Sequence, residues 1–219
     1  MIRFNNVNKI YANGHQALTN VNFELRKGEL AFLTGHSGAG KTTLLKLIMR
    51  MEQPTRGQVF LNNKNLEKLS LRHVPYLRRR IGVIFQNPLL LPDRTVFENV
   101  ALPLQVSGYS FGEIQRRARA ALEKVGLLIK EKLYPLALSS GEQQRLSIAR
   151  AVVNKPELLL ADEPPGNLDP GLSLDIMRLF EAFNQVGVTV LIATHDLSLI
   201  AQLNRHPVLR LKEGHLLDS

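Results

Sequence analysis

Cysteine is absent from the sequence, which excludes a disulfide framework and leaves no thiolate to ligate metal or attack a substrate. Long apolar runs are absent too. The longest, such as Val188–Ala193 and Leu158–Ala161, fall far short of the roughly 20 residues that a membrane-spanning helix needs. The opening Met1-Ile2-Arg3-Phe4-Asn5 carries no apolar signal-peptide core. Aromatic residues are scarce, at 6%, and none interleave with the arginines of Arg78-Arg79-Arg80 or of Arg116-Arg117 with Arg119 as a stacking platform for single-stranded nucleic acid would require. Zinc-finger spacings and an RNA-recognition signature are missing as well. Acidic residues are the last deficit: 19 Asp plus Glu stand against 28 Lys plus Arg, a net charge of +9 with a pI near 10.0. Such an excess suits an anionic membrane surface or a nucleic acid, and without a recognition motif nucleic acid is not expected as a partner. The 44% hydrophobic content over 219 residues fits a soluble cytoplasmic protein with one compact domain, or a core plus a small subdomain.

No long linker, low-complexity tract or clear repeat divides the chain. Short strands are expected at Ile2–Val7 and, beyond an Asn13-Gly14 turn, at Val21–Leu25. Leu30–Thr34 is a compact apolar run that ends in a glycine-rich loop, and Thr43–Met49 continues as a helix. Val59–Leu61 and Ile81–Phe85 read as further strands. The middle of the chain changes to helices at Val96–Val106, at Glu113–Val125 behind a Ser110-x-x-Glu113 capping box, and from about Glu142 to Asn154. A strand at Leu158–Asp162, a helix near Leu172–Asn184 and a strand at Val188–Ala193 follow. Strand–helix alternation at both ends implies an α/β core, about residues 1–86 and 156–219, interrupted by a helical subdomain at about 87–155.

The strongest chemical signal is Gly35-His36-Ser37-Gly38-Ala39-Gly40-Lys41-Thr42, which fits G-x-x-x-x-G-K-[ST] between an apolar strand and a helix. Glycines let backbone N–H groups converge on phosphate oxygens, and the helix that follows directs its positive end at the same anion. Lys41 reaches the β- and γ-phosphates and the Thr42 hydroxyl can ligate Mg²⁺. Leu158-Leu159-Leu160-Ala161-Asp162-Glu163 puts acids at the end of a buried strand, where open α/β sheets bind ligands. Asp162 can hold Mg²⁺ through water, and Glu163 can polarise an attacking water as general base. Leu138-Ser139-Ser140-Gly141-Glu142-Gln143-Gln144-Arg145 stands directly before a helix. Ser139-x-x-Glu142 is a capping box, but a serine and a glycine at a bare helix N-terminus also make an anion site. Generic physics leaves both readings open.

Leu138–Arg145 resembles the signature motif of the ATP-binding cassette (ABC) ATPases, and the other motifs fall in that family's order. The resemblance implies a P-loop, RecA-like core with an N-terminal antiparallel β subdomain and an inserted helical subdomain. It implies ATP and Mg²⁺ as ligands and ATP hydrolysis as the activity. Nucleotide contacts are implied for Gly35, His36, Ser37, Gly38, Ala39, Gly40, Lys41, Thr42 and Thr43, and for Tyr11 as the aromatic stacked on adenine. Gln86 corresponds to the Q-loop glutamine and a contact to the metal, which Thr42 and Asp162 share. Glu163 would activate water and His195 would contact the γ-phosphate. Ser139, Ser140, Gly141 and Glu142, with Asp169 of the Asn167-Leu168-Asp169 D-loop, would act on the nucleotide of a second copy in an ATP-bound homodimer. Two positions depart from the family pattern: Ser140 replaces the first of two usual glycines, and Pro165 stands where threonine is usual.

Within the family, Pro75-Tyr76-Leu77-Arg78-Arg79, Asp93-Arg94-Thr95-Val96 and Asn99-Val100-Ala101-Leu102-Pro103-Leu104 most resemble the bacterial cell-division branch. Lipoprotein-releasing and macrolide-export ATPases are the alternative and share Gly166-Asn167-Leu168-Asp169. The cell-division resemblance implies a polytopic membrane partner of the FtsX type and other division-septum proteins. It also implies a peripheral location on the cytoplasmic face of the inner membrane.

Overall fold

The computed structural model describes residues 1–164, 170–203 and 205–217. Pro165 and the expected D-loop, Asn167-Leu168-Asp169, lie outside the described residues. From the N-terminus, strands β1 (Ile2–Ile10) and β2 (Gln16–Leu25) form a hairpin, and β3 (Leu30–Thr34) leads into helix α1 (Lys41–Ile48). Strands β4 (Arg56–Leu61) and β5 (Lys64–Asn65) and helix α2 (Val74–Arg78) precede β6 (Ile81–Ile84). Helices α3 (Val96–Val106), α4 (Phe111–Lys124) and α5 (Ser140–Val152) intervene before β7 (Leu158–Asp162). The chain continues through α6 (Pro170–Gln185), β8 (Thr189–Ala193), α7 (Leu197–Gln202), β9 (Val208–Lys212) and β10 (His215–Leu217).

Two sheets result. One is antiparallel in the order β2-β1-β4-β5; the other runs β10-β9-β3-β8-β7-β6 and is parallel except for its β10 edge. The period-2 side-chain alternation of the central parallel strands explains the layers. Leu30, Phe32, Leu159, Ala161, Val190 and Ile192 point into a core shared with α3, α4, α5 and α6. Ala31, Leu33, Leu158, Leu160, Leu191 and Ala193 point to the other face, into a core shared with α1 and the antiparallel sheet. Strands buried on both faces read as continuous apolar runs, which is why their sequence limits match their structural limits so closely.

Elsewhere the elements differ from expectation for identifiable reasons. The first hairpin is longer than its alternation suggests, because Asn6 and Asn20 adopt left-handed φ values of 49° and 47° at register shifts. The Asn22 side chain accepts the Asn6 N–H and the Asn8 side chain accepts the Asn20 N–H, so asparagines supply the hydrogen bonds that these bulges disrupt. Helix α1 starts at Lys41 rather than Thr43, placing Lys41 and Thr42 in its first turn. The Ser110 capping box is one-sided: its hydroxyl accepts the Glu113 N–H, but the Glu113 carboxylate turns to Arg117 at 3.1 Å. A full box caps α3 instead, with Thr95 and Glu98 exchanging hydrogen bonds.

Gly82 in β6 packs directly against α5. A Cβ there would come within 2.5 Å of both the Ala151 carbonyl oxygen and Leu159 Cδ2. Gly82→Ala should therefore destabilise the fold by roughly 1–3 kcal/mol through overpacking, lowering the thermal midpoint by about 2–12 °C for a chain of this size. Calorimetry showing an unchanged midpoint would refute this packing account.

Candidate functional site

The parallel strands bury both faces, so polar side chains gather where the strands end. The loop after β3, the acids at the end of β7 and the histidine after β8 line a single cavity of about 440 Å³. Gly38 and Gly40 take φ values of 80° and 107°, a region open to glycine at little cost. A Cβ on Gly40 would also stand 2.5 Å from the Ala17 carbonyl oxygen, and one on Gly35 would stand 2.2 Å from that of Leu211. The loop is thus pressed against β2 and β9. Helix α1 has no acid in its first turn and no side-chain cap, which leaves its N-terminal N–H groups and positive dipole end for an anion. Of the expected loop residues, His36, Ser37, Gly38, Gly40, Lys41, Thr42 and Thr43 line the cavity, while Gly35 and the buried Ala39 support them from behind.

Lys41 is buried, and its ammonium donates to the carbonyls of Gly35 at 2.6 Å and His36 at 3.2 Å, with Glu163 Oε1 at 3.6 Å. Glu163 holds a left-handed φ of 50°, a conformation that costs a non-glycine residue on the order of 1–2 kcal/mol. Hydrogen bonds at the end of β8 fix it there: its N–H donates to the Ala193 carbonyl at 2.8 Å, and its carboxylate accepts the His195 N–H at 3.3 Å. His195 Nδ1 lies 2.9 Å from Glu163 Oε1. Lys41, Glu163 and His195 therefore form one chain of polar contacts across the cavity.

The Thr42 hydroxyl donates to Asp162 Oδ2 at 2.8 Å. Burial pushes the Asp162 carboxyl above its usual range, against the Thr42 hydrogen bond; the adjacent Glu163 adds to the rise and Lys41 opposes it. A carboxylate penalised in this way gains from a cation beside it. Two hard oxygen donors in contact, with the Gln86 side chain on the same cavity wall, fit a small divalent ion that keeps waters and takes phosphate oxygens.

The profile of the ABC transporter family matches residues 18–166. The chain belongs to this ABC family. It is 58% identical over 216 residues, 99% of this chain and 97% of the relative, to the cell division ATP-binding protein FtsE of Escherichia coli K12. The FtsE proteins of Haemophilus influenzae and Bacillus subtilis are 54% and 43% identical, with 99% and 93% of their lengths covered. Among solved structures, a dimeric post-hydrolysis state of the ATP-binding cassette MJ0796 bound to ADP and Pi superposes with a TM-score of 0.89 at 35% identity, over 100% of this chain and 97% of that one. The chain is accordingly an ABC-type ATPase with the cassette fold.

Leu138–Arg145, the expected signature segment, does not line the chain's own cavity. Ser139 caps α5 in a reciprocal box with Glu142, and Lys130 holds the Glu142 carboxylate at 2.6 Å. That contact, with the Ser139 N–H, keeps the Glu142 carboxyl below its usual range. Ser139 and Ser140 are exposed and Gly141 is buried. Ser140 begins the helix itself, and a Cβ on Gly141 would stand 3.1 Å from Leu172 of α6. Tyr11 is also off the cavity wall; its hydroxyl is 3.1 Å from Thr43 Oγ1 and its ring stacks on His15, which does line the cavity together with Ala17.

Two residues that sequence reasoning did not single out matter here. His15 is one, visible beforehand only as a polar residue at the end of a turn. The other is Arg150 of α5, whose guanidinium donates to the carbonyls of Pro88 at 2.5 Å and Leu89 at 2.8 Å. It ties the segment after Gln86 to the helix that Ser139 caps.

The raised Asp162 carboxyl gives a signed pH prediction. Its proton is held more tightly in the folded chain than in the unfolded one, where it titrates near 3.8. The stability it contributes is complete below that value and lost as pH rises through the folded pKa. In the nucleotide-free protein, Asp162→Asn should therefore raise the thermal midpoint above wild type at pH 8, with the gap closing toward pH 4. A midpoint at pH 8 equal to or below that of wild type would contradict the burial argument.

Proposed function

We propose that this ATPase is the nucleotide-hydrolysing subunit of a bacterial cell-division complex of the FtsEX type, and that two copies of it close around ATP. The contact chain Lys41–Glu163–His195 at the ends of β3, β7 and β8 carries the catalytic reading. On nucleotide entry the Lys41 ammonium exchanges the Gly35 and His36 carbonyls for β- and γ-phosphate oxygens. Glu163 is then freed from Lys41 and accepts the proton of the attacking water, with His195 Nδ1 holding the carboxylate in place. Thr42, Asp162 and Gln86 would hold Mg²⁺, which when bound neutralises charge on the phosphates.

Dimer closure is supported by the position of Ser139 and Gly141 off the chain's own cavity and by the dimeric MJ0796 cassettes. The membrane partner is supported by FtsE relatives at 43–58% identity over nearly the whole chain. No helix among the described residues is long and apolar enough to cross a membrane. Peripheral attachment on the cytoplasmic side, beneath a polytopic FtsX-like protein and close to other septal proteins, completes the proposal.

Glu163→Gln should lower kcat by about 10²–10⁴-fold, the usual worth of a general base, while ATP binding persists and sedimentation shows an ATP-dependent dimer. Unslowed hydrolysis in this variant would remove Glu163 from the mechanism. Affinity purification of the full chain from bacterial membranes should recover an FtsX-like polytopic protein. Recovery of a lipoprotein-releasing permease instead would overturn the cell-division assignment and leave the chemistry standing.

A further inference from the structure

A second cavity, about 740 Å³ and larger than the nucleotide cavity, opens at the opposite end of the parallel sheet. Its walls include the residues that lead into β3, β7 and β8, whereas the nucleotide cavity lies where those strands end. Helix α4 forms one side with Arg116, Arg117, Ala120 and Lys124; Lys27 ahead of β3 and Lys155 in the link from α5 to β7 stand on the other. Val152, Val186 and Val188 present apolar surface between these cations, above the buried Val153 and Phe183. Glu157 is the one acid among the lining residues, and it is already engaged by Arg80 at 2.5 Å and Asn62 at 2.8 Å. Arg116 and Arg117 share Glu113, at 3.9 and 3.1 Å. Lys27, Lys124 and Lys155 form no ion pair among the described residues.

Part of this charge has a structural use. The C-terminal ends of α4, α5 and α6 reach the cavity through Lys124, Val153 and Val186. Helix C-termini attract cations. At roughly half a negative charge each, however, three such ends offset only about half of the three unpaired lysines. The remaining cations surround apolar surface that no side chain fills. An inorganic anion would use the lysines and leave the apolar lining wet. An uncharged apolar ligand would bury that lining and cost the ammonium groups their water.

We infer that this cavity binds an amphipathic anion, a phosphate or carboxylate head on an apolar chain. The head pairs with Lys124 from one wall and Lys155 from the other, and the chain covers Val152, Val186 and Val188. A volume within about 300–1,000 Å³ is that of ordinary small-ligand sites. Because the walls come from α4 on one side and the base of β7 and β8 on the other, the bound ligand would clamp the helical insert to the core.

The test is calorimetric titration of the full chain with dodecyl phosphate below its micellar concentration, beside inorganic phosphate and dodecanol. Saturable binding with a Kd on the order of micromolar is expected, at least about tenfold tighter than either control. Two variants divide the contributions: Lys124→Glu with Lys155→Glu reverses charge, and Ala120→Phe fills the cavity without changing charge. Each should weaken dodecyl phosphate binding at least about tenfold, while basal ATP hydrolysis stays at the wild-type value in both and the thermal midpoint is unchanged in Ala120→Phe. Flotation with phosphatidylglycerol vesicles separates the sources: vesicle binding lost in both variants assigns a bilayer lipid, and binding of the free amphiphile alone assigns a soluble ligand. Absence of saturable binding, equal affinity for inorganic phosphate, or variants that bind as wild type does would each overturn the inference.

Discussion

The central strands β3, β8 and β7 are covered on both faces. A sheet built this way has no polar face, so any hydrogen-bonding or charged group must be placed at a strand end. The right-handed connections of such a fold send the following helix back with its N-terminus near the C-terminal strand ends. The two ends of the sheet therefore differ electrically. At one, α1 offers uncapped N–H groups beside Lys41; at the other, the C-termini of α4, α5 and α6 meet a surplus of lysines. The charge balance differs as well: Lys41 faces Asp162 and Glu163 at the first end, whereas lysines and arginines outnumber the single lining acid, Glu157, at the second.

Within the nucleotide cavity, the costly choice is Glu163. Its left-handed backbone is unfavourable for a side chain that needs neither glycine's freedom nor a turn. The alternative, an extended residue continuing β7, would send the carboxylate along the strand alternation into the face opposite Asp162. The kink lets consecutive acids serve the same cavity, Asp162 toward Thr42 and Glu163 toward Lys41 and His195. Strain fixed by two hydrogen bonds from neighbouring strand ends is the kind of feature that accompanies a working site.

How much of this could be read from the sequence depended on how local the cause was. Leu30–Thr34 and Leu158–Asp162 were legible to the residue because two-sided burial leaves an uninterrupted apolar run. Helix α3 was legible as Val96–Val106 even though Pro103 lies inside it. The hairpin was underestimated because bulges at Asn6 and Asn20 break the alternation, and α7, β9 and β10 were missed because their patterns are short and half-exposed. The loop Gly35–Thr42 announced itself by composition. The contact from Arg150 to Pro88 and Leu89 spans about sixty positions and leaves no local trace. The same is true of His15, whose place on the cavity wall depends on where the hairpin is folded down against α1.

That long-range contact also bears on why the cassette is an incomplete machine by itself. Gln86 and the Ser139 cap belong to different surfaces, one on the cavity and one off it. Arg150 joins their supports: it grips the carbonyls just beyond Gln86 while forming part of the helix that Ser139 begins. Leu89, one of the gripped residues, is itself held at a left-handed φ of 47°, so the segment is set in one of few available conformations. Gly141 packs closely against Leu172, where an added Cβ would stand 3.1 Å from the leucine methyl groups, so α5 and α6 meet in tight contact there. With Gln86 proposed to contact the bound metal, a change there would reach the α5 N-terminus through Arg150 as a movement of the helical insert. In the proposed dimer that movement carries Ser139 toward or away from the other copy's nucleotide, and two half-sites become interdependent through packing within each chain.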